Sequence, residues 1–130
     1  MSNWTHVAAI FRVDSFRFAG HEINFSEVFG QELSYRDRGA WYEAEACPEN
    51  FLPFGSEGSL HMSVWENPEQ NHIAAYTVSV FGDLRDHDSI EEIMEWFEKK
   101  CQAVSIRQAV ITVHNEYHGT QTRTYGEEAG

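Results

Sequence analysis

Seven histidines, two cysteines and a dense run of acids are the side chains of this 130-residue sequence whose chemistry could serve a site. Zinc needs three or four converging ligands, commonly supplied as closely spaced pairs. His114 and His118 have pair spacing, but they sit in a strand end and a turn rather than on one helix face. His6 and His114 are expected to be neighbours across two strands, and His61 falls on a more distant strand. Two ligands do not make a zinc site, so no metal is expected, and no cofactor motif is present.

The cysteines carry equally little. Cys47 precedes Pro48, and no base can be assigned to activate it. Cys101 falls on an apolar helical stripe, which predicts a core thiol. Gly55-Ser56-Glu57-Gly58-Ser59 has the glycines of a phosphate-cradling loop but no lysine, and it leads into a strand instead of a helix. Nucleotide binding is not expected there. Asp86 and Asp88 flank His87, as a general base requires. No nucleophile or oxyanion donor accompanies them, so no catalytic residue is assigned. The segment reads as a polar loop ending in a helix cap.

The acidic run is the strongest chemical signal. Asp83, Asp86, Asp88, Glu91, Glu92, Glu95 and Glu98 place seven acids within sixteen residues. The whole chain has 21 acids against nine bases, a formal charge of −12. Such a field repels phosphate backbones and anionic lipid. Direct nucleic-acid binding is therefore excluded, and a basic protein surface is the partner these acids suit. No apolar run is long enough to cross a membrane, and the N-terminus lacks a basic-then-apolar export pattern. With two cysteines, this predicts a cytoplasmic protein.

The elements that must position these residues follow from periodicity. Trp4 to Val13 alternates with period two and reads as a strand. Asn24 with Glu27 forms a capping box for a short helix that brings Phe25, Val28 and Phe29 to the core and ends at Gly30. Ala40 to Cys47 reads as a second short helix stopped by Pro48. Phe51 to Gly55 reads as an ordered loop packed on the body. Ser59 to Glu66 and His72 to Phe81 form a hairpin around the turn residues Asn67 to Asn71. Asp88 to Cys101 is the clearest helix, with Ile90, Ile93, Met94, Phe97 and Cys101 on one stripe and lysines in its last turn. Ile106 to His114 is a further strand, and Thr120 to Tyr125 pairs back onto it.

The predicted order is β-α-β-β-α-β plus a terminal strand. That is an α+β, ferredoxin-like split β-α-β sandwich. Its antiparallel sheet carries two main helices on one face and an extra C-terminal edge strand. A single domain is expected over 1–130, with its core in 3–115, a hairpin strand in 117–126 and a frayed tail in 127–130.

Two readings of function result. In the first, the chain is a non-enzymatic binding or regulatory module acting through its acidic helix surface. A regulator, an immunity protein, or a phage- or mobile-element-encoded inhibitor of a nucleic-acid-handling protein fits this description. In the second, it is a homodimer binding a small molecule between open sheet faces, with His6, His61, Trp65, Thr77 and His114 as lining, and catalysis there is left open. A third and weaker reading makes Trp41 to Phe54 a docking surface in a larger assembly.

Overall fold

The computed structural model describes residues 3–16, 24–32, 51–55, 57–66, 73–87 and 89–126. Strand β1 spans Trp4–Phe16, helix α1 Phe25–Phe29, β2 His61–Glu66, β3 Ile73–Arg85, α2 Ile90–Ala103, β4 Ile106–Asn115 and β5 Gly119–Gly126. The predicted helix over Ala40 to Cys47, the tail and Asp88 lie outside the described residues. The fold is α+β, built on one five-stranded sheet of order β2-β3-β1-β4-β5. All four strand pairings are antiparallel.

The alternation read in β1 is realised as burial. Val7, Ala9, Phe11 and Val13 are buried, whereas His6, Ala8 and Ile10 are exposed. Period-two side-chain alternation sends the two sets to opposite faces. Phe11 sits at the centre of the covered face. Its ring centroid lies 4.9 Å from Phe29, 5.3 Å from Phe97 and 6.0 Å from Trp96. Val78, Val80, Ile111 and Val113 extend this core across β3 and β4.

Helix α2 buries the predicted stripe of Ile90, Ile93, Met94, Phe97 and Cys101. Its cap is Ser89, whose side chain accepts from the Glu92 amide at 3.2 Å. Helix α1 is only five residues long. Asn24 caps it through the Glu27 amide, and Gly30 ends it with φ of 119°. So short a helix cannot persist on its own propensity. Phe29, fully buried, fastens it to the core, while Phe25 and Val28 are only partly covered.

Two expectations change. Val64 was assigned to the core, yet it is 39% exposed because β2 is an edge strand. Strand β3 does not stop at Phe81. It continues through Gly82-Asp83-Leu84-Arg85, which pair with Val7, His6, Thr5 and Trp4. Gly-Asp favours turns locally, but here the long β1 supplies a strand partner opposite every one of these residues. Leu84 becomes core, and Asp83 joins the sheet instead of the helix approach.

Candidate functional site

The face of the sheet opposite Phe11 is laid out in rows by strand register. At one end His6 stands between Asp83 and His114, and His114 faces Thr120. The next row holds His61, Phe81, Ala8, Thr112 and Thr122. Ser63, Ser79, Ile10, Val110 and Thr124 follow. Trp65, Thr77, Arg12 and Gln108 complete the pattern.

This face leaves large apolar groups in solvent. Ile10 is 50% exposed, Trp65 57%, Phe81 46% and Val110 37%. Ile10 and Val110 are direct cross-strand partners. Apolar side chains grouped in this way, unlike scattered ones, mark contact surfaces. Charge is scarce by comparison. Among the described strand residues only Asp83 and Asp14 bring carboxylates to this face, and each is held by a base. His6 Nδ1 lies 2.5 Å from Asp83 Oδ1. Arg12 Nε donates to Asp14 Oδ1 at 2.8 Å.

The histidines are fixed by these neighbours. The rings of His6 and His114 stack with centroids 6.0 Å apart, and His114 Nδ1 lies 2.7 Å from Thr120 Oγ1. His61 packs against the Phe81 ring at 5.5 Å, and its Nδ1 is 3.4 Å from Glu32 Oε2. Thr112 and Thr122 share a hydrogen bond of 3.2 Å across β4 and β5. Among the described residues, no group of three or more His, Cys, Asp or Glu could hold a metal ion.

The five predicted lining residues thus share a face but do not converge. His6 and His114 touch, and Trp65 is paired with Thr77. The two pairs lie three rows apart, roughly 20 Å at the normal rise of a strand. They cannot grip one small molecule within one chain. Phe81 was missing from the predicted set, although it shares parity with Thr77 and Ser79. The threonines of β5 were also unassigned to a face; their alternation, Thr120, Thr122, Thr124, carries the signal.

The seven acids are likewise divided. Asp83 belongs to the open face. Asp86, with φ of 58°, accepts from the Asn3 amide at 3.3 Å. Asp88 is outside the described residues. Glu92 Oε2 is 3.6 Å from His87 Nε2, and Glu98 Oε1 accepts from Arg123 Nη1 at 2.8 Å. Glu91 and Glu95 remain exposed on α2. Helix periodicity predicted the exposure but not the pairing of Glu98, whose partner lies 25 positions away.

A cleft of about 470 Å³ separates α2 from the Phe51–Phe54 segment. Leu52, Pro53, His87, Glu95, Trp96 and Lys99 are among its lining residues. The Trp96 indole N–H donates to the Phe29 carbonyl at 3.4 Å, which holds the ring across the α1–α2 junction. His87 Nδ1 is buried with no hydrogen-bond partner among the described residues. Beneath the helix, burial pushes the Cys101 thiol up to about 12, with the negative charge of Glu98 adding to the shift. A neutral thiol of this kind is no nucleophile. No family model, no curated protein and no solved structure matches this chain.

Proposed function

We propose that this chain is a non-enzymatic protein-binding module whose contact surface is the open face of the sheet. The observation that supports it is the set of exposed Ile10, Phe81, Val110 and Trp65 on a face to which the described strand residues bring only two carboxylates, Asp14 and Asp83, in a chain whose formal charge is −12. Buried aromatic and aliphatic anchors supply most of the energy at protein contacts.

Photo-crosslinking tests this reading. Benzoylphenylalanine replaces Phe81 in one protein and Glu91 in another, each made in the cells that naturally produce the chain. A crosslinked product from position 81 and none from position 91 is expected. The reverse pattern would overturn the assignment of the surface.

The reverse pattern would instead favour the acidic helix, and one observation gives that second reading weight. Glu91 and Glu95 are exposed and make no ion pair among the described residues. A basic protein surface is the partner they suit. Charge reversal at Glu91, Glu95 and Glu98 would then weaken binding, and salt would weaken it as well.

The proposal includes a ferredoxin-like arrangement of the two split β-α-β units. Its support is that β1 lies between β3 and β4 with β2 outside β3, and that Phe11 meets both Phe29 and Phe97. An experimental structure with α1 and α2 on opposite faces would overturn it.

A further inference from the structure

We infer that the occupant of the open face is a second copy of this chain. The inference rests on reading that face as a contact surface, and names the partner. Charge is the first argument. Two copies at −12 each repel wherever their acids meet. The open face is where they can approach, because the carboxylates that the described strand residues bring to it, Asp83 and Asp14, are paired with His6 and Arg12, and Glu32 at its edge is paired with His61.

Area is the second. Five strands spaced about 4.8 Å apart and four rows spaced about 6.8 Å apart outline roughly 24 by 27 Å, or roughly 650 Å². Side-chain relief adds to the accessible area. Standard interfaces bury about 600–1,000 Å² on each partner, so this face lies at the lower end of that range.

Self-complementarity is the third. A two-fold axis brings a patch against its own copy, so the patch must be complementary to itself, and groups that accept many kinds of neighbour meet that need. Aliphatic and aromatic groups do. So do threonine hydroxyls, which both donate and accept. Thr122 and Thr124 give β5 that property beside the apolar pair Ile10 and Val110. Two sheets meeting in this way stack about 10 Å apart with their inner side chains interdigitated.

The test is the mass of the full chain in solution at micromolar concentration, by light scattering and sedimentation. Twice the chain mass is expected, with tighter association as salt screens the mutual repulsion. Ile10→Asp and Val110→Glu each enter the interface twice in a symmetric dimer. Each is expected to weaken association by about a hundredfold, roughly tenfold per copy. Both side chains are exposed in the single chain, so far-UV circular dichroism should be unchanged. Glu91→Lys should leave the dimer intact.

A monomer at all concentrations would overturn the inference, as would a dimer untouched by both open-face substitutions. The crosslinking experiment separates the two levels of the argument. A product joining position 81 to a different polypeptide, from a monomeric protein, rejects the second copy and retains the open face. No product from position 81, with a dimer that survives both substitutions, rejects both.

Discussion

Asn115 shows how much one buried polar side chain can organise. It is fully buried, and its Nδ2 donates to Asn3 Oδ1 at 3.1 Å and Thr5 Oγ1 at 2.9 Å. Its Oδ1 accepts from the amides of Tyr117 and His118 at 2.9 and 3.0 Å. Thr5 in turn donates to the His87 carbonyl. One amide thus ties the β4–β5 turn to β1 and to the approach of α2. Asn115→Ala removes all four bonds, leaving the part-buried amides of Tyr117 and His118 without this acceptor and the buried Thr5 Oγ1 without this donor, so chemical denaturation should show a loss of about 2–4 kcal/mol. A loss below about 0.5 kcal/mol, the scale of an ordinary surface change, would contradict this role.

Cys101 gives a pH-dependent counterpart at the same scale. Its thiol titrates near 9 when unfolded and at about 12 when folded. The unfolded chain therefore releases this proton first. The folded state loses stability as pH rises through the interval between those values, and the contribution is constant below it. Cys101→Ala should flatten the decline of stability above pH 9 relative to the unchanged chain. Equal slopes for the two proteins would refute the shift.

Elements are held to one another by close backbone approaches as well as by side chains. The chain over 51–60 is held to itself by bonds from Gly55 N to Gly58 O and Leu60 N to Pro53 O, and to β3 by the bond from Arg85 N to Glu57 O. A Cβ at Gly55 would lie 2.1 Å from the Arg85 carbonyl oxygen. A backbone atom cannot move aside as a flexible side chain can. Gly55→Ala should therefore lower the melting temperature sharply or displace the segment, which would reshape the α2 cleft. Gly119 provides the comparison. It has φ of 81° but nothing within 4 Å of an added Cβ. Gly119→Ala should cost only about 1–2 kcal/mol, the price of a left-handed backbone with a side chain. Similar melting temperatures for the two variants would show that the close approach at Gly55 is not tight.

At the scale of the whole molecule, −12 on 130 residues makes self-repulsion a general term in stability and association. Added salt should raise the melting temperature and favour the dimer together. Binding through the acidic helix to a basic partner would respond in the opposite direction. Melting and sedimentation across a salt series distinguish the two, since only the open-face dimer predicts that both rise. A melting temperature that fell with salt would instead show that the ion pairs Arg123–Glu98 and Arg85–Glu57 outweigh the general repulsion.

The α+β fold and the two faces of the sheet were legible in the sequence because alternation and helical spacing are local records of burial. Val7, Phe11 and the α2 stripe are core for this reason, and His6, Ile10 and Trp65 are exposed for the same one. The cap Asn24 was legible because it acts within three residues. What joins distant segments was not legible. The turn-like Gly82-Asp83 became strand only because β1 continued opposite it, and this moved Asp83 from the acidic run to His6, 77 positions away. The sequence alone determined that the protein is acidic, with one apolar and one mixed set of strand residues. Tertiary structure decided which acids stand together and which have a hydrogen-bonding partner. It also added Phe81 to Ile10, Trp65 and Val110 and fixed which of them are cross-strand neighbours, because strand pairing, unlike periodicity, depends on partners that the local chain does not contain.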